Sequence, residues 1–448
     1  MKKFMSAFIV AALMVTFVAC GSENVSPPSS STSSTGTADS GGDTVKGSGS
    51  KKTYRILSGY AENNSAQKLI QLTIDGYTSE VDPDFKVEVE TITSTNDLWE
   101  KLRLYVAAKN VPDMYSISNG TLSEEMIKQG YLVNMSEELK SLGHLDKVKS
   151  SLVDYFTSSD GNMYMIPSAF SGEYFVYRTS TFKKYGLEVP ETWDDFLDIC
   201  QKLKDNGEIP YVMRGADAVQ YLRFMSFPSW TTEGREFINN LTSGKTTFSE
   251  SKSGMYGAEL LKKLGTSGYF IPGYNNLTLG DAIDTFIGGQ GAMVYANTNY
   301  IEKFNDLYVN GDIGYFAVPV MAGEAGTGST IPTHGGKAWT LNAGSYKDDA
   351  VLQGFFKYFM ENVDSLSYEA GQLSWINGDT KDNTLPKLLS DIGNDMQKQT
   401  VSWVSWDDRL SAATLTTIGD AAEVLANGKM TVKEFAEIFD KALKDNKG

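Results

Sequence analysis

Residues 160–207, DGNMYMIPSAFSGEYFVYRTSTFKKYGLEVPETWDDFLDICQKLKDNG, constrain the chain more than any other stretch. Asp160-Gly161 is a turn dipeptide. Met163 to Ile166 reads as a short apolar strand, stopped by Pro167, which has no N–H for a sheet ladder. Tyr174 to Tyr177 has the aromatic and β-branched composition of a second strand. Thr192, just after Pro190, caps a helix in which Phe196, Cys200 and Leu203 recur at i, i+4 and i+7. Gly207 closes that helix as its C′ residue. The chain therefore leaves one sheet, crosses between Pro167 and Glu173, and begins a second α/β unit.

The stretches on either side carry the same grammar. Tyr54 to Ser58 is a first strand, followed by a helical repeat through Leu69, Leu72 and Tyr77. Phe85 to Ile92 alternates as a half-buried strand does, with Val87 and Val89 on one face. Asn96 or Asp97 is placed to cap the next helix, and Met114 to Ile117 is a third strand. Strand, helix, strand, helix, strand predicts parallel pairing, with loops gathered at the strand carboxyl ends. Glu62, Asn63, Ser118 and Asn119 then share one rim. Beyond residue 207, Tyr211 to Met213 is a strand, with helices to about residue 290. Lys337 to Asn342 is a later strand, and Leu352, Phe355, Phe356 and Phe359 form the apolar face of the helix after it. Thr431 and Glu434 form a capping box, with Met430 and Phe435 as its staple.

The first 52 residues are of another kind. Lys2 and Lys3 precede an apolar run from Phe4 to Ala19 that ends at Cys20-Gly21. Sixteen residues are short for a retained span, and the basic start fits a secretory signal. Small Ala19 directly before Cys20 is the lipoprotein cleavage pattern, with Phe17 where Leu is usual. Residues 21–52 are Ser, Thr, Gly and Pro with little that is apolar, so they cannot offset their ordering entropy and read as a tether.

Composition excludes several classes. A net charge of −16, or −18 once Lys2 and Lys3 leave with the signal, disfavours nucleic acid and other polyanionic polymers. Cys200 has no partner within one mature chain and lies on the apolar face of its helix, a poor place for a reactive thiol. Only His144 and His334 exist, so a His-rich metal site is excluded and catalytic triads have few candidates. Ser243-Gly244-Lys245-Thr246 ends like a phosphate loop, but Asn239 stands where its first Gly must be. Counting does not exclude a carboxylate pair for glycoside hydrolysis, since the chain has 56 acidic residues.

Asp160, Gly161, Pro167, Tyr177, Gly186, Pro190, Thr192, Trp193 and Asp194 stand in an order that resembles the extracellular solute-binding proteins of bacterial ABC importers. The resemblance is to the carbohydrate-binding group related to maltodextrin-binding proteins. It runs through most of residues 53–445, strongest in 160–207 and 286–360. Arg178 is a departure where that family usually has Asn. Asn297, Thr298 and Asn299 stand where a Trp is usual, replacing a stacking platform by hydrogen bonding. The resemblance implies an α/β, two-lobed periplasmic-binding-protein-like fold with a ligand cleft between the lobes. One lobe would comprise 53–166 and 313–372, the other 167–312 and 373–448, after a signal at 1–19 and a lipidated Cys20 with tether at 20–52. Hinge strands are expected near 166–173 and 313–321, with a third crossing near 370–376.

Sugars expose apolar C–H faces that lie on aromatic rings, and hydroxyls that need polar groups at the rim. Aromatic residues make up 12% of the chain. Trp193 reads as a structural anchor, and Trp99 and Trp339 as core. Trp230, Trp375, Trp403 and Trp406 sit in apparently irregular segments, each either a ligand contact or core. Trp403 and Trp406 share a face if their segment is helical and oppose each other if it is extended. Ser168, Phe170, Ser171 and Glu173 in the crossover are pocket or hinge residues, with Glu173 alternatively a salt-bridge partner. His334 is a hydrogen-bonder rather than a catalyst. The candidate ligand contacts are completed by Asn297 and Asn299, with Glu62, Asn63, Ser118 and Asn119 from the rim.

The expected function is a lipid-anchored binding protein on the extracellular face of the cell membrane. It takes a mono- or oligosaccharide and delivers it to ABC permease subunits, without a cofactor, a metal or catalysis. A non-sugar solute, such as a peptide or polyamine, and an anchored glycan hydrolase are the alternatives.

Overall fold

The computed structural model describes residues 52–323, 330–378, 385–398, 403 and 405–446. The first strands and helices follow the sequence pattern. β1 (Thr53–Ser58), α1 (Ser65–Glu80), β2 (Lys86–Thr91), α2 (Thr95–Ala107) and β3 (Met114–Ile117) alternate. Leu69, Ile70, Ile74 and Tyr77 bury one face of α1, and Leu98 and Leu102 one face of α2. The cap of α2 is Ser94, whose hydroxyl accepts the Asp97 N–H at 3.4 Å, rather than Asn96 or Asp97. Three short helices follow: α3 (Thr121–Lys128), α4 (Met135–Ser141) and α5 (Ser150–Phe156).

Met163 to Ile166 does not form the expected strand. It makes two isolated bridges, Met163 to Thr157 and Ile166 to Trp339, because Pro167 ends the segment before a ladder can extend. The chain then enters β4 (Ser171–Arg178), α6 (Thr179–Tyr185) and α7 (Trp193–Asp205). Thr192 caps α7 in a reciprocal box with Asp195, and Gly207 beyond its end has φ +77°. β5 (Tyr211–Val212) leads to α8 (Val219–Thr232), α9 (Arg235–Ser243), α10 (Lys252–Thr266) and α11 (Leu279–Ile287). β6 (Met293–Asn297), α12 (Ile301–Val309) and β7 (Ile313–Phe316) complete this part. Next come β8 (Thr333–His334), β9 (Ala338–Leu341), α13 (Ala343–Tyr346) and α14 (Ala350–Glu369). The last helices are α15 (Lys387–Met396), α16 (Trp406–Arg409), α17 (Ala412–Ala426) and α18 (Val432–Asp445).

These strands form two sheets. The first has the order β2-β1-β3-β9, parallel through β2, β1 and β3, with β9 antiparallel at the edge. The second has the order β5-β6-β4-β7, with β8 pairing the start of β4. Residues 313–316 were expected on the side of the first sheet; instead β7 pairs antiparallel with β4 in the second. The chain returns to the first sheet only at β9, and α14 then packs on α1. α15 packs on α12, and α17 on α8 and α10, so the C-terminal helices rejoin the second sheet's side.

The second core is aromatic. Phe175 of β4 sits among Trp193, Phe196, Tyr211, Phe224, Phe227, Tyr295 and Phe316, with the Phe316 ring stacked at 5.2 Å. Buried aromatics of this size dominate core energetics, so α7 and α8 are held to the sheet mainly by ring packing. Arg178 explains its own departure from the usual Asn: its guanidinium donates to the Gly291 and Phe286 carbonyls and ties β4 to the turn before β6.

Candidate functional site

Two of the crossing segments run side by side. Ile166 bridges Trp339, the Ser168 N–H donates to the Gly335 carbonyl at 3.0 Å, and Ser171 and Gly172 pair with His334 and Thr333. Gly335 packs so closely on Phe156 that any side chain there would collide with the ring, and Gly336 has φ +68°. This tight passage carries Glu173, His334 and Lys337 to the same place.

That place is a cavity of about 590 Å³ between the two sheets. From the side of the first sheet come the β3 end at Ile117 and Ser118, the start of α3 at Gly120 and Thr121, and Trp99 and Arg103 of α2. Trp99 and Arg103 are one turn apart and so share a helix face. From the second side come Glu173 of β4, Arg223 of α8, Trp403, and Ser411 and Leu415 at the start of α17. The cavity thus meets the rule that ligand sites in α/β folds lie outside strand carboxyl ends.

Glu173 and Arg223 form an ion pair at 3.2 Å with side chains 3% and 10% exposed, and the Arg223 guanidinium also donates to the Ser405 hydroxyl at 2.7 Å. Burial and the neighbouring Glu173 carboxylate push the Tyr295 hydroxyl well above its usual pKa. Trp403 packs on Trp230 with centroids 3.9 Å apart, while Tyr155 and His334 meet it edge-on, each at 6.3 Å. Trp403 is only 2% exposed, yet it lines the cavity, and its buried indole Nε1 has no acceptor among the described residues. His334 Nδ1 accepts the Gly336 N–H at 3.2 Å. The Lys337 ammonium donates to the Gly59 and Thr93 carbonyls, at 3.0 and 3.3 Å, and burial lowers its pKa.

Among the candidates from sequence, Ser118, Glu173, His334 and Trp403 line this cavity. Asn119 is buried beside it, donating to the Tyr155 carbonyl at 2.7 Å, and Trp230 lies behind Trp403. Ser168 bonds Tyr60 and the Gly335 carbonyl, Phe170 lies under Lys149, and Ser171 is inside the β4–β8 pair. Asn297 faces Glu173 across the β4–β6 ladder and accepts the Asn299 N–H, while Asn299 is exposed. Glu62 and Asn63 are exposed and outside the cavity lining. Trp375 packs on Phe359, and Trp406 on Phe237, Phe248 and Phe439, both fully buried. Trp230 and Trp406 are helical rather than irregular, Trp230 because α8 continues through Pro228. Cys20 lies outside the described residues.

Trp99, Arg103, Tyr155, Arg223, Lys337 and Ser411 were not anticipated. Trp99 was expected in the core; it is half-buried, because the outer edge of its helix face meets the cavity. The spacing of Trp99 and Arg103 was the available signal for α2.

Glu173 is the one carboxylate among the described lining residues, where glycoside hydrolysis needs two. No group of three or more potential metal ligands occurs among the described residues, and no described helix is long and apolar enough to cross a membrane.

Comparison with known proteins identifies the family. Residues 61–363 match the family profile of the bacterial extracellular solute-binding proteins. The chain is 23% identical to the multiple sugar-binding protein of Streptococcus mutans over 55% of its own length and 58% of the relative's. It is 25% identical to the sn-glycerol-3-phosphate-binding periplasmic protein UgpB of Rhizobium meliloti, over 58% of this chain and 60% of that one. The chain thus spans about three fifths of the length of these curated relatives. A solved chitin oligosaccharide binding protein superposes with a TM-score of 0.75 at 21% identity, over 89% of this chain and all of that one, and shares the two-lobed fold. Such proteins bind solutes for ABC transporters and are not enzymes. The chain belongs to the bacterial extracellular solute-binding proteins.

Proposed function

We propose that this chain captures a sugar or oligosaccharide in the cavity between its sheets, on the extracellular face of the membrane, and passes it to the permease of an ABC importer. The observation that carries this reading is Trp403, an aromatic ring in one wall of the cavity beside the buried Glu173–Arg223 pair. An aromatic surface ringed by charged donors and acceptors suits a pyranose, whose faces are apolar and whose rim is hydroxylated. A polyamine suits the cavity poorly, since Arg103, Arg223 and Lys337 outnumber Glu173. The names of the two relatives, one for sugars and one for a phosphorylated polyol, agree with a polyhydroxylated ligand.

In this reading residues 53–166 and 338–372 form one lobe, and 167–316 with the C-terminal helices the other. The lobes close by bending at the paired crossings 166–173 and 333–339, with a third crossing after residue 370. Cys20 carries the lipid and 21–52 the tether. A thermal-shift screen of the full chain against neutral and acidic saccharides tests the binding. The expected result is a rise in melting temperature with at least one saccharide, growing with its concentration. A panel without any shift, beside shifts with peptides, would remove the sugar reading. For the anchor, Cys20→Ala should release the protein into the medium, and wild-type protein with an unacylated N-terminus would refute it.

A further inference from the structure

The charge of the cavity runs against the charge of the chain. The sequence carries 56 acidic and 40 basic residues, yet the described lining residues include three cations, Arg103, Arg223 and Lys337, and one carboxylate, Glu173. Glu173 is already engaged by Arg223. No carboxylate pairs with Arg103 or Lys337 among the described residues, so two positive charges remain uncompensated on the wall formed by the first sheet's side. Lys337 gives two of its three N–H groups to the backbone carbonyls of Gly59 and Thr93 and keeps one. Desolvation lowers its pKa, as expected of a half-buried ammonium that pairs with no described carboxylate and lies 5.7 Å from the Tyr60 ring.

The backbone adds to this surplus. Four helices begin at the cavity: α2 through Thr95, α3 through Gly120 and Thr121, α8 through Val219, and α17 through Ser411 and Ala412. Helix N-termini carry partial positive charge. The first turns of α2 and α17 are capped by Ser94 and Ser411, and that of α8 by Asp217, which also pairs with Arg214. α3 begins at Gly120, which has no side chain to cap it. With Arg103 and Lys337, the described lining carries a surplus of positive charge, and the partner of such a surplus is a group rich in acceptor oxygens.

We infer that the ligand is an acidic saccharide, whose anionic oxygens lie toward Arg103, Lys337 and the start of α3 while its ring lies toward Trp403. A carboxylate and a phosphate ester offer the same chemistry here, so the class is an anionic sugar of either kind. The inference rests on the saccharide reading above and adds the charge to it.

Calorimetric titration of the full chain with matched pairs separates the two. One pair is an oligogalacturonide and its methyl ester, another a hexose phosphate and the free hexose, with inorganic phosphate alone as a further arm. The acidic member of at least one pair is expected to bind on the order of 100-fold more tightly than its neutral partner, and the pair concerned tells carboxylate from phosphate. Arg103→Gln, at an exposed side chain, should narrow that ratio about tenfold, and Lys337→Gln likewise. A neutral saccharide that binds as tightly as its acidic partner overturns this inference and leaves the saccharide reading standing. An acidic preference that neither variant narrows also overturns it. Binding of phosphate alone, with every saccharide silent, overturns the saccharide reading on which it rests, as does silence in every arm.

Discussion

Two cavities of similar size among the described residues differ in how they are built. One, of about 670 Å³, is a groove lined wholly by residues between Ser136 and Met163, the stretch that holds α4 and α5. The other, of about 590 Å³, draws residues from α2, β3, α3, α5, β4, α8, β8 and α17. The groove belongs to one local stretch, and its lining includes Glu137, Asp146 and Asp154 against Lys140. The cleft exists only where two sheets are brought together, and it concentrates aromatic edges and cations from both. Volume alone would favour the groove. A cavity that changes shape when lobes move can couple ligand binding to a conformational signal, whereas a groove within one stretch cannot. That difference favours the cleft as the proposed site.

Trp403 and Trp406 turn the comparison into an experiment, because three residues separate a cleft wall from a core. Trp406 is fully buried among Phe237, Phe248 and Phe439, so Trp406→Ala should cost about 3–5 kcal/mol of stability. Ligand affinity measured well below the lowered melting temperature should stay near wild type. Trp403→Ala removes the indole that lines the cleft and should weaken saccharide binding on the order of 100-fold. It also lowers the melting temperature, since Trp403 packs on Trp230. Calorimetry beside a melting curve reads both. If Trp406→Ala lost affinity and Trp403→Ala kept it, the cleft assignment would have the wrong wall.

A smaller effect, remote from both cavities, calibrates the stability scale. Asp349 caps α14 through the Val351 and Leu352 N–H groups and accepts from Lys52 and Tyr54. Burial raises its pKa, but the hydrogen bonds from the Leu352 N–H, Lys52 and Tyr54 outweigh that and hold the carboxyl below its ordinary value. A depressed folded-state pKa gives stability above the unfolded-state pKa, lost as pH falls through the folded one. Asp349→Ala should therefore cost about 1 kcal/mol at neutral pH. The gap from wild type should close as pH drops below about 4. Denaturant melts at neutral and acidic pH check the sign: a gap that widened in acid would contradict it. Ligand affinity should not change.

Much of this architecture was legible because local signals and global needs coincide. The cap at Thr192, the box at Thr431–Glu434, the parallel β1–β3 pattern and the apolar face of α14 all follow from spacing alone. The second sheet was harder. Ile313 to Phe316 looks like any returning strand, and only pairing with β4 assigns it. Pro228 made the segment around Trp230 read as irregular, yet α8 runs through it, with the Thr231 and Thr232 hydroxyls donating to the Pro228 carbonyl. The helical or extended alternatives for Trp403 and Trp406 did not apply, since α16 begins at Trp406 and leaves Trp403 outside it. Glu173, Ser118 and His334, read from crossovers and strand ends, line the cavity, as does Trp403, read from an apparently irregular segment. Arg103 was signalled only by its spacing from Trp99, and Lys337 by nothing, because a residue's neighbours along the chain do not reveal which charges stay unbalanced after folding.

Hydrogen–deuterium exchange on the full chain, with and without a saturating saccharide, tests the central claim most directly. Ligand in the cleft should slow exchange in peptides covering 117–122, 334–337 and 405–415, from both sides of the molecule, and leave 136–147 unchanged. Protection confined to the groove residues, or to one side of the cleft alone, would contradict the account.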